Sequence, residues 1–177
     1  MKHRPLPRSV RRAGFYLLTL CLLFSLPVGC ARRTPDTADV LDAMCASQPT
    51  LPAGQVYLHT ATLGDAGYAD EELLAALFGE GALPIELASV NAYAFRLCSF
   101  AEPHEFAVFL CVSTQDAYAV AEMCIRRTDR IRYLCRGTEY EDIADNAQVS
   151  VCGKYVLLAV CEDALTAIEA GRRAVRG

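Results

Sequence analysis

Ala147–Cys161 reads AQVSVCGKYVLLAVC, and this stretch decides the fold. Two runs of strand-forming residues flank Gly153-Lys154. A glycine leading a two-residue loop marks a type II′ turn, whose twist suits an antiparallel hairpin. With Cys152 opposite Tyr155, side-chain alternation puts Val149, Val151, Val156, Leu158 and Val160 on one face. Ser150, Cys152, Leu157, Ala159 and Cys161 take the other.

A second hairpin lies upstream. Ala92–Ser99 and Glu105–Ser113 both alternate, and the stretch between them contains Pro103. A similar register groups Tyr93, Phe95 and Leu97 with Phe106, Val108 and Leu110. It leaves Ala94, Arg96 and Cys98 with Ala107, Phe109 and Cys111. Each hairpin then has a strongly apolar face, expected to meet helices, and a mixed face. All four strand cysteines (Cys98, Cys111, Cys152 and Cys161) fall on the mixed faces. A mixed face left open by the first two helices is a candidate interaction surface.

Helical patterns surround the hairpins. Pro35–Ser47 follows candidate caps Thr34 and Asp36. Asp70–Phe78 begins on a good N-cap, has Glu71 and Glu72 in its first turn and is followed by Gly79. Thr114–Cys135 carries an apolar stripe of Ala117, Val120, Ala121, Cys124, Ile131, Leu134 and Cys135. Its arginines Arg126, Arg127, Arg130 and Arg132 read as the wet side. Glu162–Ala174 closes the chain, with Leu165, Ile168 and Ala174 expected inward. Val56–Thr60 is a candidate short strand. The expected fold is α+β: two antiparallel hairpins form a four-stranded sheet, the long helix and the C-terminal helix pack on one face, and N-terminal helices precede.

The first thirty residues read as an export leader. Lys2, Arg4, Arg8, Arg11 and Arg12 form a basic start, Gly14–Leu26 (GFYLLTLCLLFSL) is a short apolar core, and Pro27-Val28-Gly29 leads into Cys30. A transmembrane helix needs about 20 apolar residues, more than this run supplies. Val28, Gly29 and Cys30 fit a lipobox; Pro27 departs from it, since Leu26 lies one position early. The expectation is a lipoprotein signal over 1–29, cleavage between Gly29 and Cys30, and a diacylglyceryl, palmitate-bearing Cys30. Residues 30–36 form a tether of about 25 Å at full extension, and 37–177 a single domain. Two acyl chains hold a protein stably on a bilayer, which places the domain on the extracytoplasmic face of the cell membrane. The competing readings are ordinary cleavage with secretion, and a twin-arginine signal at Arg11-Arg12, whose spacing is off by one.

Five of the 17 basic residues lie in the leader, so 12 remain against all 21 acidic residues, a formal charge of −9. That balance argues against nucleic acid, which requires a basic face. Of nine cysteines, Cys21 leaves with the leader and Cys30 is acylated; the seven others cannot all pair internally. There is no CxxC, GxSxG, HExxH or P-loop, so thioredoxin-type, hydrolase, zinc-protease and nucleotide signatures are missing.

Three weaker features remain. The strand cysteines suggest a disulfide, a thiol pair or a soft-metal site, against the plainer reading of small core residues. His104 beside Glu105 suits a ligand or a base, against a solvated turn histidine. Glu139, Glu141, Asp142 and Asp145 suggest a hard-cation site but lack calcium-loop spacing.

The order of these elements, with DEELLAALFG, EFAVFLCVS and VCGKYVLLAVCED, resembles the domain of unknown function 4358 found in lipoproteins of Gram-positive bacteria, clostridia especially. The resemblance spans roughly residues 36–175. It implies an envelope lipoprotein, and no catalytic residue or cofactor follows from it. The expected function is a non-enzymatic binding module with an unidentified protein or small-molecule partner; the alternative is a thiol-redox or metal-binding protein using the strand cysteines.

Overall fold

The computed structural model describes residues 34–99 and 102–177; the expected leader, with Gly29 and Cys30, falls outside them. In chain order the elements are α1 (Thr37–Ala46), β1 (Gln55–Leu58), α2 (Glu71–Phe78), a 3-10 turn (Ile85–Ser89), β2 (Val90–Leu97) and β3 (Glu105–Cys111). Then come α3 (Thr114–Cys135), α4 (Glu141–Asp145), β4 (Gln148–Cys152), β5 (Tyr155–Val160) and α5 (Ala164–Arg176).

Local chemistry sets the helix starts. Asp36, Asp70, Ser113 and Asp163 each accept a backbone N–H from the first turn that follows, at 2.7–3.1 Å, satisfying donors a helix start leaves open. At the β4–β5 turn Gly153 has φ +62°, and no non-glycine residue described has positive φ. Lys154 therefore has negative φ, as type II′ requires and type I′ forbids.

The chain is α+β, but its sheet has five antiparallel strands rather than four, in the order β1-β2-β3-β5-β4. The added strand is β1, which pairs with β2 from Gln55↔Leu97 to Leu58↔Ala94. The second hairpin has the expected register, with Cys152 opposite Tyr155 and Val151 opposite Val156. The first is shifted by one residue. Phe95 faces Ala107, Tyr93 faces Phe109 and Leu97 faces Glu105. Phe106, Val108 and Leu110 thus join Ala94 and Arg96. The physical reason lies in β3: EFAVFLC is apolar at both parities, so alternation does not select a register.

The helices do not share one face. α2 and α3 cover Phe95, Ala107, Phe109, Cys111, Val156 and Leu158. α1 and α5 cover the reverse side, over Ala94, Phe106, Val108, Tyr155, Leu157 and Ala159. Strands buried on both faces lose clean alternation and become continuous apolar runs, as all six residues of β5 show. The mixed faces are accordingly not open. Gly171 brings α5 close to α1: a Cβ there would lie 2.8 Å from Met44 Cγ and 3.0 Å from Leu157 Cδ1.

Two expected core positions lie outside. Leu134 is 65% exposed and Leu165 also faces solvent. Among the described residues no helix is long and apolar enough to cross a membrane.

Candidate functional site

The sheet ends beside a cavity of about 650 Å³, between the β2–β3 connection, the C-terminal turn of α2 and the last two turns of α3. Its apolar wall includes Tyr57, Leu77, Leu97, Ile131 and Leu134. Tyr57 is held there by stacking on Phe95 at 4.9 Å; Phe78 meets Phe95 and Phe109 edge-on at 5.8 and 5.3 Å. These offset and perpendicular ring pairs are the preferred aromatic geometries.

The polar side is built around the start of β3. Cys98 N donates to His104 O at 3.2 Å, closing the β2–β3 connection. This places the His104 ring inside the protein, where its side chain is 5% exposed. His104 Nε2 lies 3.2 Å from Glu162 Oε1, just beyond β5. On its other side Nδ1 lies 3.9 Å from Glu102 Oε2. That separation exceeds a hydrogen bond; both atoms are buried and, among the described residues, neither has a hydrogen-bond partner. Burial works against the charge of Glu162, but its own backbone N–H and the His104 ring outweigh it and hold the carboxyl below its ordinary value.

Glu105 is 2% exposed. It is matched by Arg127 of α3: Nε donates to Oε2 at 3.0 Å and Nη2 to the same oxygen at 2.6 Å. Arg127 was expected among the solvated arginines, and the others are not simply solvated either. Arg130 donates to Gly79 O at 2.7 Å and Ala76 O at 2.9 Å, and also to Leu77 O, capping the carbonyl end of α2. Arg126 pairs with Glu86 at 2.6 Å, and Arg132 donates to Ala147 O at 3.1 Å. The arginines staple α3 to its neighbours.

The four strand cysteines do not form one thiol face. Cys111 sits under α3 while Cys161 is buried against α1 and α5 on the reverse side. Cys152 stands at the β4–β5 turn, and Cys98 borders the cavity. The one-residue shift in β3 moves Cys111 away from the rest. Cys98 Sγ accepts from Arg96 Nη1 at 2.9 Å, yet burial outweighs this cation and raises its pKa. Burial pushes Cys45 and Cys111 up to about 11 and Cys161 up to about 12; Cys124 is raised well above its ordinary value. A thiol near pKa 11 is about 0.1% thiolate at pH 8, against roughly a quarter for a free cysteine. In the native protein at pH 8, Cys111, Cys124 and Cys161 are therefore expected to resist a disulfide reagent that labels them at once in denaturant. Rapid native labelling of any of the three, read by peptide mass spectrometry, would contradict this.

Other sequence candidates lie apart. His59 is exposed and meets Tyr93 edge-on at 4.9 Å. Of the acidic cluster, Glu141, Asp142 and Asp145 form α4, and Glu141 accepts Gly137 N at 2.9 Å. Among the described residues no three His, Cys, Asp or Glu side chains converge to hold a metal ion. The chain matches no protein-family model, no curated protein and no solved structure.

Proposed function

We propose that this chain is a lipid-anchored lipoprotein of the cell envelope and a non-enzymatic binding module that takes a small, partly apolar ligand. The observation that carries the binding reading is the 650 Å³ cavity, which combines an aromatic and aliphatic wall with a few fixed polar groups. Ligand pockets have this size and this mixture. The thiol-redox alternative needs a lowered pKa at an accessible cysteine; burial instead raises the thiols of Cys45, Cys98, Cys111, Cys124, Cys135 and Cys161. The anchor reading rests on the leader pattern before Cys30. The likeness in element order to the lipoproteins of domain of unknown function 4358 belongs to this proposal and contributes no residue role.

Two experiments test it. Cys30→Ala is expected to abolish acylation and leader cleavage, so that the mature-size, lipid-bearing form disappears. An unprocessed wild-type N-terminus, or a variant still cleaved before position 30, would refute the anchor. For the cavity, a set of small aromatic probes is expected to shift amide resonances of Tyr57, Leu97 and Ile131. Leu134→Trp, at an exposed position on the rim, is expected to remove those shifts without lowering the unfolding midpoint. Shifts scattered elsewhere, or none, would reject the cavity as the site.

A further inference from the structure

We propose that the ligand is a primary amine whose ammonium group docks between the Glu102 carboxylate and His104 Nδ1; this rests on the reading of the cavity as a ligand site. Glu102 Oε2 and His104 Nδ1 stand 3.9 Å apart, both buried and, among the described residues, both without a hydrogen-bond partner. A buried acceptor left unpaired is costly, so a ligand that supplies two donors gains what the protein has left open. In the neutral ring His104 Nδ1 is an acceptor, because Glu162 then fixes the tautomer. An ionised carboxylate only accepts, so the contact at 3.2 Å puts the ring proton on Nε2.

The surroundings select the sign of the ligand. Glu105 and Arg127 neutralise each other. What remains around His104 is Glu102 on one side and Glu162 on the other. An ammonium supplies three N–H donors and one positive charge; a carboxylate ligand would meet acceptors and like charge. The ring is held rigidly, whereas the Glu102 side chain is one-third exposed and can swing by a rotamer change to admit the nitrogen. The remainder of the ligand is apolar, since Tyr57, Leu97 and Ile131 line the adjoining wall.

Isothermal titration of the full chain in mild detergent with phenethylamine, 2-phenylethanol and phenylacetate tests the sign and the donor count together. The amine is expected to bind at least 10-fold more tightly than the alcohol, and the acid not to bind. Glu102→Gln, a substitution at a partly exposed position, is expected to bring amine and alcohol to within about twofold of one another. Equal affinity for amine and alcohol would overturn the proposal, with a water molecule then bridging the two acceptors, and would leave the cavity reading intact. Tighter binding of the acid would also overturn it. Binding of none of the three overturns both.

Discussion

Arg127→Met is expected to destabilise the protein by about 3–5 kcal/mol, the cost of leaving a buried charge without its partner. The size follows from Glu105, whose carboxylate is almost fully enclosed and receives Arg127 in a forked contact at 2.6 and 3.0 Å. No nearby cation takes over. Arg130, one turn along α3, is spent on the carbonyls of Ala76, Leu77 and Gly79. The double variant Glu105→Met, Arg127→Met removes both charges and is expected to recover most of the loss, because a matched pair and an apolar pair of similar volume differ little. Urea unfolding of the three proteins measures this. A single-variant loss below about 1 kcal/mol, or a double variant no better than the single, would mean that Glu105 does not depend on this arginine.

The second large effect is expected at Phe109. Its ring is fully buried on β3, meets Phe78 edge-on at 5.3 Å and lies across the sheet from Tyr93 and Val156. Phe109→Ala removes the ring and leaves a void between sheet and helices, at about 3–5 kcal/mol. Tyr133→Ala on α3 is the comparison: that side chain is mostly exposed, so its loss stays within about 0.5 kcal/mol. Thermal or urea unfolding gives both values. Comparable losses for the two would place the stabilising core elsewhere.

The elements that were legible in the sequence are those with strong local chemistry. Gly153 announces its own turn, and Asp70 and Ser113 announce the helices they cap, the long one over the same residues, Thr114–Cys135. The register of the first hairpin was not legible. Phe106 and Phe109 are equally good core residues on opposite faces, and only packing on both sides of the sheet decides between them. The same ambiguity hid the second helical layer and scattered the cysteines. His104 could be picked out because histidines are few, but nothing local says that it is enclosed. Arg127 was missed for a related reason. A helix arginine reads as solvated, and its partner lies 22 residues away in sequence, joined to it by the docking of α3 on β3. Glu102 carries no local signal at all.

The pairing of β3 with β5 has a consequence for how the chain is made. These two strands lie side by side at the centre of the sheet, with Glu105 opposite Val160, yet the whole of α3, α4 and β4 is synthesised between them. Loop closure over such a distance precedes any reward from the contact, which slows assembly. A nascent chain ending anywhere before residue 155 therefore carries Phe106 and Val108 on a strand with one free margin, awaiting both β5 and the cover of α5. A chain lacking β5 and α5 is therefore expected to be cut by protease within β3, which the complete fold protects.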